Sequence, residues 1–101
     1  MRMMMLVQYP LEPFNAMVRN GSTGPTMMKI LDEIKPEAAY FTEREGCRGC
    51  VLIVDVAKPT DVPRLAEPWF LNFNASVEFR VCMLPQDLAQ ADLNALGKKW
   101  G

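Results

Sequence analysis

Four polar side chains lie within short apolar runs, at positions that suit acid–base chemistry: Gln8, Asp55, Glu78 and Arg80. A carboxylate held against apolar surface has a raised pKa, which favours proton abstraction next to a carbonyl group. A neighbouring arginine binds a carboxylate or stabilises an enolate. We therefore predict Asp55, Glu78 and Arg80 as catalytic candidates and Gln8 as a ligand-binding residue. Glu78 and Arg80 are also explained as a salt bridge within the chain or across a dimer, and this structural interpretation is favoured.

Aromatic and hydroxyl residues supply the remaining candidates for ligand contacts. Tyr40 and Thr42 alternate along one face of a predicted strand, beside the same surface. Trp69, Phe70 and Phe73 recur at helical spacing, which predicts either an aromatic pocket wall or a helix face packed into the core. The core interpretation is the simpler one, and Trp69 is retained as a ligand-binding candidate.

The composition argues against several classes of function. The chain has no histidine, which rules out Ser-His-Asp triads, Cys-His nucleophiles and histidine-ligated zinc. Its net charge is −1, from 11 basic and 12 acidic residues, so it lacks the basic excess with which proteins neutralise phosphates. No apolar run has the length needed to span a bilayer. We predict no cofactor, no metal, no nucleic-acid partner and no membrane partner.

The three cysteines, Cys47, Cys50 and Cys82, cannot all pair within one chain. The odd number, with no export signal evident in the first residues, favours a reducing, cytoplasmic location. Cys47 and Cys50 form a C-x-x-C motif, which supports thiol redox chemistry where a helix begins at the motif. Here the motif is predicted in a hairpin turn, so incidental thiols are the simpler interpretation. A strained local disulfide is the open alternative.

Hydrophobic periodicity predicts the order strand, helix, strand, strand, helix, strand and C-terminal helix. The strands are expected at residues 2–9, 38–43, 50–57 and 76–84, and the helices at 12–35 with a break at NGSTGPT, from 61 to 73 and from 87 to 97. The break predicts a loop or kink more simply than a flexible lid.

Local signals predict where these elements end. Gly46 and Gly49 are expected to form the hairpin turn between the second and third strands. Thr60 is predicted as the N-cap of the helix that begins at Asp61, and Pro68 is expected to kink that helix or begin a new turn.

These elements predict a single α+β domain over residues 1–101, with the ferredoxin-like βαββαβ arrangement, a four-stranded antiparallel sheet and a C-terminal helix. Both crossover helices would cover the same face of the sheet. The opposite face would carry Met4, Leu6, Val51 and Ile53, which are too apolar to be left in water. We therefore predict a homodimer through this open face, with two sheets packed together or closed into a barrel.

The element order over residues 1–84 resembles that of the dimeric α+β barrel superfamily. The segments MRMMMLVQYPLEPFN, KPEAAYFTERE and AEPWFLNFNASVEFR are similar to a bacterial family of about this length. The superfamily includes muconolactone isomerases and cofactor-free antibiotic-biosynthesis monooxygenases. Because it rests on element order and not on a catalytic motif, the resemblance implies a fold more than a function.

Two functions follow as expectations. The first is a cytoplasmic homodimer that binds a small hydrophobic or aromatic molecule between sheet and helices, with proton transfer or oxygenation without a cofactor as its reaction class. The second is a non-catalytic dimerisation or regulatory module. An enzyme needs a cavity with convergent polar groups, whereas the module has none.

Overall fold

A computed structural model describes the whole chain, residues 1–101, as four strands and five helices. The strands are β1 (Arg2–Gln8), β2 (Ala38–Arg44), β3 (Cys47–Asp55) and β4 (Ser76–Val81). The helices are α1 (Phe14–Asn20), α2 (Thr23–Ile34), α3 (Asp61–Phe73), α4 (Pro85–Gln90) and α5 (Leu93–Trp100). The architecture is α+β, as the periodicity predicts.

The four strands form one antiparallel sheet in the order β2-β3-β1-β4. Strand β1 is central, as expected from a run that is mostly apolar on both of its faces. Its Met5 lies opposite Leu52 of β3 and Phe79 of β4. The sequence prediction of a four-stranded antiparallel sheet is confirmed, and the order is compatible with a ferredoxin-like arrangement.

One face of the sheet carries the hydrophobic core. Met5 and Val7 of β1 are fully buried there, against Trp69 and Phe73 of α3, while Ile30 of α2 is also buried in this layer. Alternate strand residues point to opposite faces, so the neighbours of these β1 residues in the chain lie on the other side of the sheet. The prediction that Met4 and Leu6 lie on the face away from the helices is therefore confirmed.

Three aromatic rings close one end of this core. Tyr9 stacks on Phe14 with ring centroids 4.7 Å apart, and both rings contact Phe73 at 5.4 Å. The Arg48 guanidinium lies 4.8 Å from the centre of the Phe14 ring and donates to Asn15 Oδ1 at 2.7 Å. Strand β3 is thereby joined to α1.

The hairpin turn is shorter than predicted. Glu45 and Gly46 form it with φ angles of 52° and 78°, and Glu43 Oε2 accepts a hydrogen bond from the Gly46 N–H at 2.8 Å. Strand β3 therefore begins at Cys47, and Gly49 lies inside it. A Cβ at Gly49 would overlap the carbonyl oxygen of Val7 on β1. Gly49 is required for the close approach of two strands and not for the reversal.

The sequence predicts three local features of the helices: a break, an N-cap and the effect of a proline. The NGSTGPT segment interrupts the helix only briefly, at Gly21 and Ser22, before α2 begins. Thr60 is the N-cap residue of α3, as predicted, but its side chain makes no capping hydrogen bond. Asp61 accepts hydrogen bonds instead, from the N–H groups of Ala57 and Lys58 at 3.0 and 3.2 Å. Pro68 lies within α3, which continues through it to Phe73.

The predicted C-terminal helix is two short helices. Asp92 separates them because it has a left-handed φ of 52° and caps α5 by accepting a hydrogen bond from the Ala95 N–H at 3.2 Å. Every residue from Met83 to Gly101 is exposed. We call residues 83–101 the C-terminal arm, since they leave the sheet after β4 and contribute nothing to the core.

Candidate ligand-binding face

The face of the sheet opposite the core is covered by no helix of the chain, and its side chains form ordered rows. Reading across β2, β3, β1 and β4, the rows are Thr42–Gly49–Gln8–Ser76, Tyr40–Val51–Leu6–Glu78 and Ala38–Ile53–Met4–Arg80. We call this surface the open face. The register places four predicted apolar residues at its centre and two predicted charged residues along its β4 edge.

The centre of the open face is an apolar patch. Met4 and Leu6 of β1 lie beside Val51 and Ile53 of β3, and all four are partly buried. Adjacent side chains on one face of an antiparallel pair are about 5 Å apart, so the four form one continuous surface. A patch of this kind suits the flat, apolar part of a ligand or a second protein surface.

Three charged side chains meet at the edge of the apolar patch. Arg80 Nη2 lies 3.1 Å from Glu78 Oε2, and Arg44 Nη2 approaches the same oxygen at 3.8 Å. Arg44 belongs to β2 at the opposite edge of the sheet. Its Cγ lies 3.6 Å from the position that a Cβ at Gly49 would take, so its side chain crosses the sheet above that glycine. Two positive charges face one carboxylate, which leaves this cluster with an excess positive charge.

Asp55 does not join this cluster. It lies opposite Arg2 at the other end of β1, whereas Glu78 lies opposite Leu6 on the other side of that strand. Four residues along a strand and two strand spacings separate the two carboxylates by roughly 16 Å. Asp55 Oδ1 instead accepts a hydrogen bond from the Met1 amino group at 3.0 Å. The three predicted catalytic residues therefore divide into one adjacent pair and one distant carboxylate.

The Asp55 end of the open face contains a second ion pair. Arg2 donates to both carboxylate oxygens of Glu37, with contacts of 2.8 to 3.2 Å. These hydrogen bonds raise the pKa of Arg2 and lower the pKa of Glu37. A shallow cleft of about 300 Å³ lies here, lined by Arg2, Glu37, Asp55 and two neighbours. Within it Arg2 and Glu37 are paired with each other, and Asp55 is bound by the Met1 amino group.

Gln8 lies at the opposite end of the open face, beside a cleft of about 270 Å³. The same cleft is lined by Tyr9, Cys47, Asn74 and Ser76. Tyr9 is almost fully buried, and burial raises the pKa of its hydroxyl to about 12. The cleft is open and small, so it suits an end group of a ligand more than a complete one.

The remaining predicted ligand residues lie in different layers. Tyr40 and Thr42 occupy the β2 edge of the open face and are exposed. Trp69 is fully buried in the core on the other side of the sheet, where it lies 6.0 Å from the Phe73 ring. Its Nε1 has no hydrogen-bond partner. Trp69 therefore occupies the core position that was the simpler interpretation of its spacing, and the sheet–helix layer around it is filled by side chains.

The C-x-x-C motif does not present two thiols together. Both cysteines belong to β3, and residues three apart in a strand point to opposite faces. Cys50 is buried in the core, where burial raises the pKa of its thiol to about 12, and Cys47 lies on the side of the open face. Their Cα atoms are roughly 10 Å apart in an extended strand, beyond the span of a disulfide. The geometry disfavours both thiol redox chemistry at this motif and the local disulfide.

Arg44 is the site residue that sequence reasoning missed. It was not among the candidates selected from the sequence. A signal was present, because Arg44 shares the alternation of Tyr40 and Thr42 and therefore belongs to the same face. Its reach across two further strands depends on the missing side chain at Gly49, which the alternation does not reveal.

None of the five helices has the length and apolar character that crossing a bilayer requires. A scan against known protein families found no match to this chain, and a search of curated proteins found none either. The open face and its charged cluster are therefore the basis for a functional assignment.

Proposed function

We propose that the chain acts as a cytoplasmic homodimer of the dimeric α+β barrel type, which binds a small apolar or aromatic molecule bearing a negative charge. The observation that carries this proposal is the position of Arg44, which crosses the sheet to join Arg80 at Glu78 beside the apolar patch. An arginine pair recognises a carboxylate or enolate, and the patch accepts the ring or chain attached to it.

Two copies are part of the proposal because nothing in one chain covers the open face. A ligand on an exposed sheet surface keeps most of its area in water, whereas typical sites bury most of the ligand. Packing two open faces together encloses the space above Met4, Leu6, Val51 and Ile53. Glu78 is the candidate base for a cofactor-free proton transfer, since only one of its oxygens is engaged by the two arginines.

The second candidate function is a non-catalytic dimerisation module. The observation in its favour is that each predicted catalytic carboxylate already has a partner: Asp55 is bound by the Met1 amino group, and Glu78 by two guanidinium groups. Charges paired in this way give specificity to an interface without chemistry. The two candidates differ in whether the face between two copies accepts a ligand.

Titration with benzoate and with benzamide, followed by NMR of the backbone amides, tests the proposal. The two probes share a ring, but only benzoate carries a charge. We expect both to shift the amides of Leu6, Val51 and Ile53, and benzoate to bind more tightly. Arg44→Met should abolish that preference, because it keeps the apolar stem and removes the guanidinium.

Arg19→Met is the matched control, because Arg19 lies on α1, away from the open face. Its Nη1 is 3.7 Å from Oε1 of Glu12. It should retain the preference for benzoate. Equal binding of the two probes would contradict the role given to Arg44. A dimer whose open-face amides respond to neither probe would favour the non-catalytic module.

A further inference from the structure

The C-terminal arm carries an apolar surface that has no partner within the chain. Leu93, Leu96 and Trp100 follow at spacings of three and four along α5, which places them on one side of that helix. They are 58%, 44% and 77% exposed. Leu88 of α4 and Leu93 line an open cleft of about 490 Å³ between the two helices. The arm is therefore amphipathic, and its apolar side faces water.

The arm does not pack onto its own sheet. The chain measures 59 × 28 × 19 Å and has a radius of gyration of 17.0 Å, whereas a compact chain of about 100 residues has about 13 Å. The arm leaves β4 at the edge of the sheet, where the Cys82 N–H donates to the Arg2 carbonyl. It projects from that edge and leaves the open face of its own chain uncovered.

Two short helices are not stable in isolation. α4 has six residues and α5 has eight, and helices below about 12–15 residues are marginal in water without packing. Their caps are well made, since Asp87 Oδ2 accepts from the Leu84 N–H and Asp92 Oδ1 accepts from the Ala95 N–H. The arm thus has defined local structure but lacks the tertiary contact that would maintain it.

The exposed area matches what a dimer interface requires. The chain exposes 6835 Å², and a compact protein of its mass exposes about 5,800 Å². The excess of about 1,000 Å² is comparable to the roughly 800 Å² that each partner buries in a standard interface. A second copy supplies the complementary surface, because its open face is apolar and is also uncovered.

We infer that the C-terminal arm is an exchange arm: each arm packs its apolar side against the margin of the other copy's open face. This inference rests on the proposed association of two copies and adds the arm to it. Exchange under two-fold symmetry covers both unpartnered surfaces at once and closes the ligand space of each copy with residues from the other. The site is then incomplete in a single chain.

Trp100 reports directly on the arm. The chain has two tryptophans, and Trp69 is fully buried while Trp100 is largely exposed in the single chain. Subtracting the emission of Trp100→Phe from that of the wild type isolates the Trp100 signal. Acrylamide quenching of this signal, measured alongside sedimentation equilibrium over a dilution series, gives arm burial and oligomeric state under the same conditions.

We expect a dimer in which Trp100 is protected from acrylamide and becomes accessible on dilution to monomer. Leu93→Asp with Leu96→Asp should raise the dissociation constant of the dimer by about 30-fold or more. Trp100→Ala is a milder second variant with the same direction. Leu71→Asp is the control, since Leu71 is 80% exposed on α3, and it should leave the dimer intact.

The outcomes separate the exchange arm from the dimer itself. A dimer with an accessible Trp100 overturns the exchange arm and leaves the proposed dimer standing. A monomer with a protected Trp100 shows that the arm folds onto its own chain, which overturns both. A monomer with an accessible Trp100 also overturns both.

Discussion

Gly49→Ala tests how the sheet and the site depend on one position. A Cβ at Gly49 would overlap the Val7 carbonyl oxygen and lie 3.6 Å from Arg44 Cγ. The Val7 oxygen belongs to the central strand and cannot rotate away, so β1 and β3 must separate locally. Forcing an extra methyl group into a packed site costs about 1–3 kcal/mol.

A loss of this size is measurable by thermal unfolding. For a domain of about 100 residues each kcal/mol lowers the melting temperature by about 4–8 °C, so Gly49→Ala should lower it by about 5–20 °C. Gly24→Ala is the matched control, because a Cβ there would meet no atom of another element within 4 Å and the residue lies in the first turn of α2. That change should alter the free energy of unfolding by less than about 0.5 kcal/mol, because the gain from a less flexible unfolded chain is offset by the crowding of the new Cβ against the following Pro25.

Circular dichroism at one fixed protein concentration is the appropriate assay, since association would raise the apparent stability. Gly49→Ala should lower the midpoint, and Gly24→Ala should leave it nearly unchanged. If Gly49→Ala melts at or above the wild-type temperature, the close approach of β1 to β3 is wrong. If it folds but is less stable, Arg44 should be displaced, and the preference for benzoate should fall with it.

Three further predictions concern buried groups. Burial alone would raise the pKa of Asp61. Hydrogen bonds from the Lys58 and Ala57 N–H groups, together with the charge of Arg64, outweigh burial, so the pKa of Asp61 is lowered overall. A lowered folded-state pKa adds stability above the unfolded-state pKa and loses it as pH falls through the folded-state value. Asp61→Asn should therefore be less stable than wild type in urea at pH 7, with a difference that shrinks below about pH 4; a constant difference would contradict this. The Cys50 thiol, with a pKa of about 12, should react with a disulfide reagent at pH 8 only after unfolding, and rapid reaction in the folded protein would place it elsewhere. Trp69→Phe should lower the free energy of unfolding by less than the roughly 3–5 kcal/mol that truncating a large buried aromatic side chain costs. The reason is that it also removes the Nε1 donor, which is buried without a partner, and leaving such a donor unsatisfied costs about 1–3 kcal/mol. Chemical denaturation measures the difference.

The alternation of side chains located the strands and the faces because it is a geometric property of the extended backbone. It placed Met4 and Leu6 on the open face without knowledge of any partner strand. The hairpin turn was misplaced because two glycines compete within five residues, and the reversal uses Glu45, a residue type that rarely adopts a positive φ. Glycine is required at position 49 by the close approach of Val7 on another strand, which no local sequence signal reveals.

The site was predicted less well than the fold. The alternation of side chains gives the face on which a residue lies but not which residue of the neighbouring strand it faces. It therefore did not show that the register separates Asp55 from Glu78. The pairing of Glu78 with Arg80 was accessible, because both lie two residues apart on one strand. Arg44 was not, since its contact joins opposite edges of the sheet.

A second copy that covers the open face also excludes water from the charged cluster and so strengthens its electrostatic interactions. An ion pair at about 4 Å is worth about 1 kcal/mol in bulk water and about 4 kcal/mol where water is partly excluded. Arg44, Arg80 and Glu78 therefore discriminate weakly between ligands while the open face is wet, and strongly once a second copy covers it. Binding and association are then linked: each bound benzoate must tighten the dimer by the same factor by which dimerisation tightens the binding of that benzoate. The two proposed experiments consequently check each other: a preference for benzoate that does not change with protein concentration would place the ligand outside the interface, even if the dimer forms.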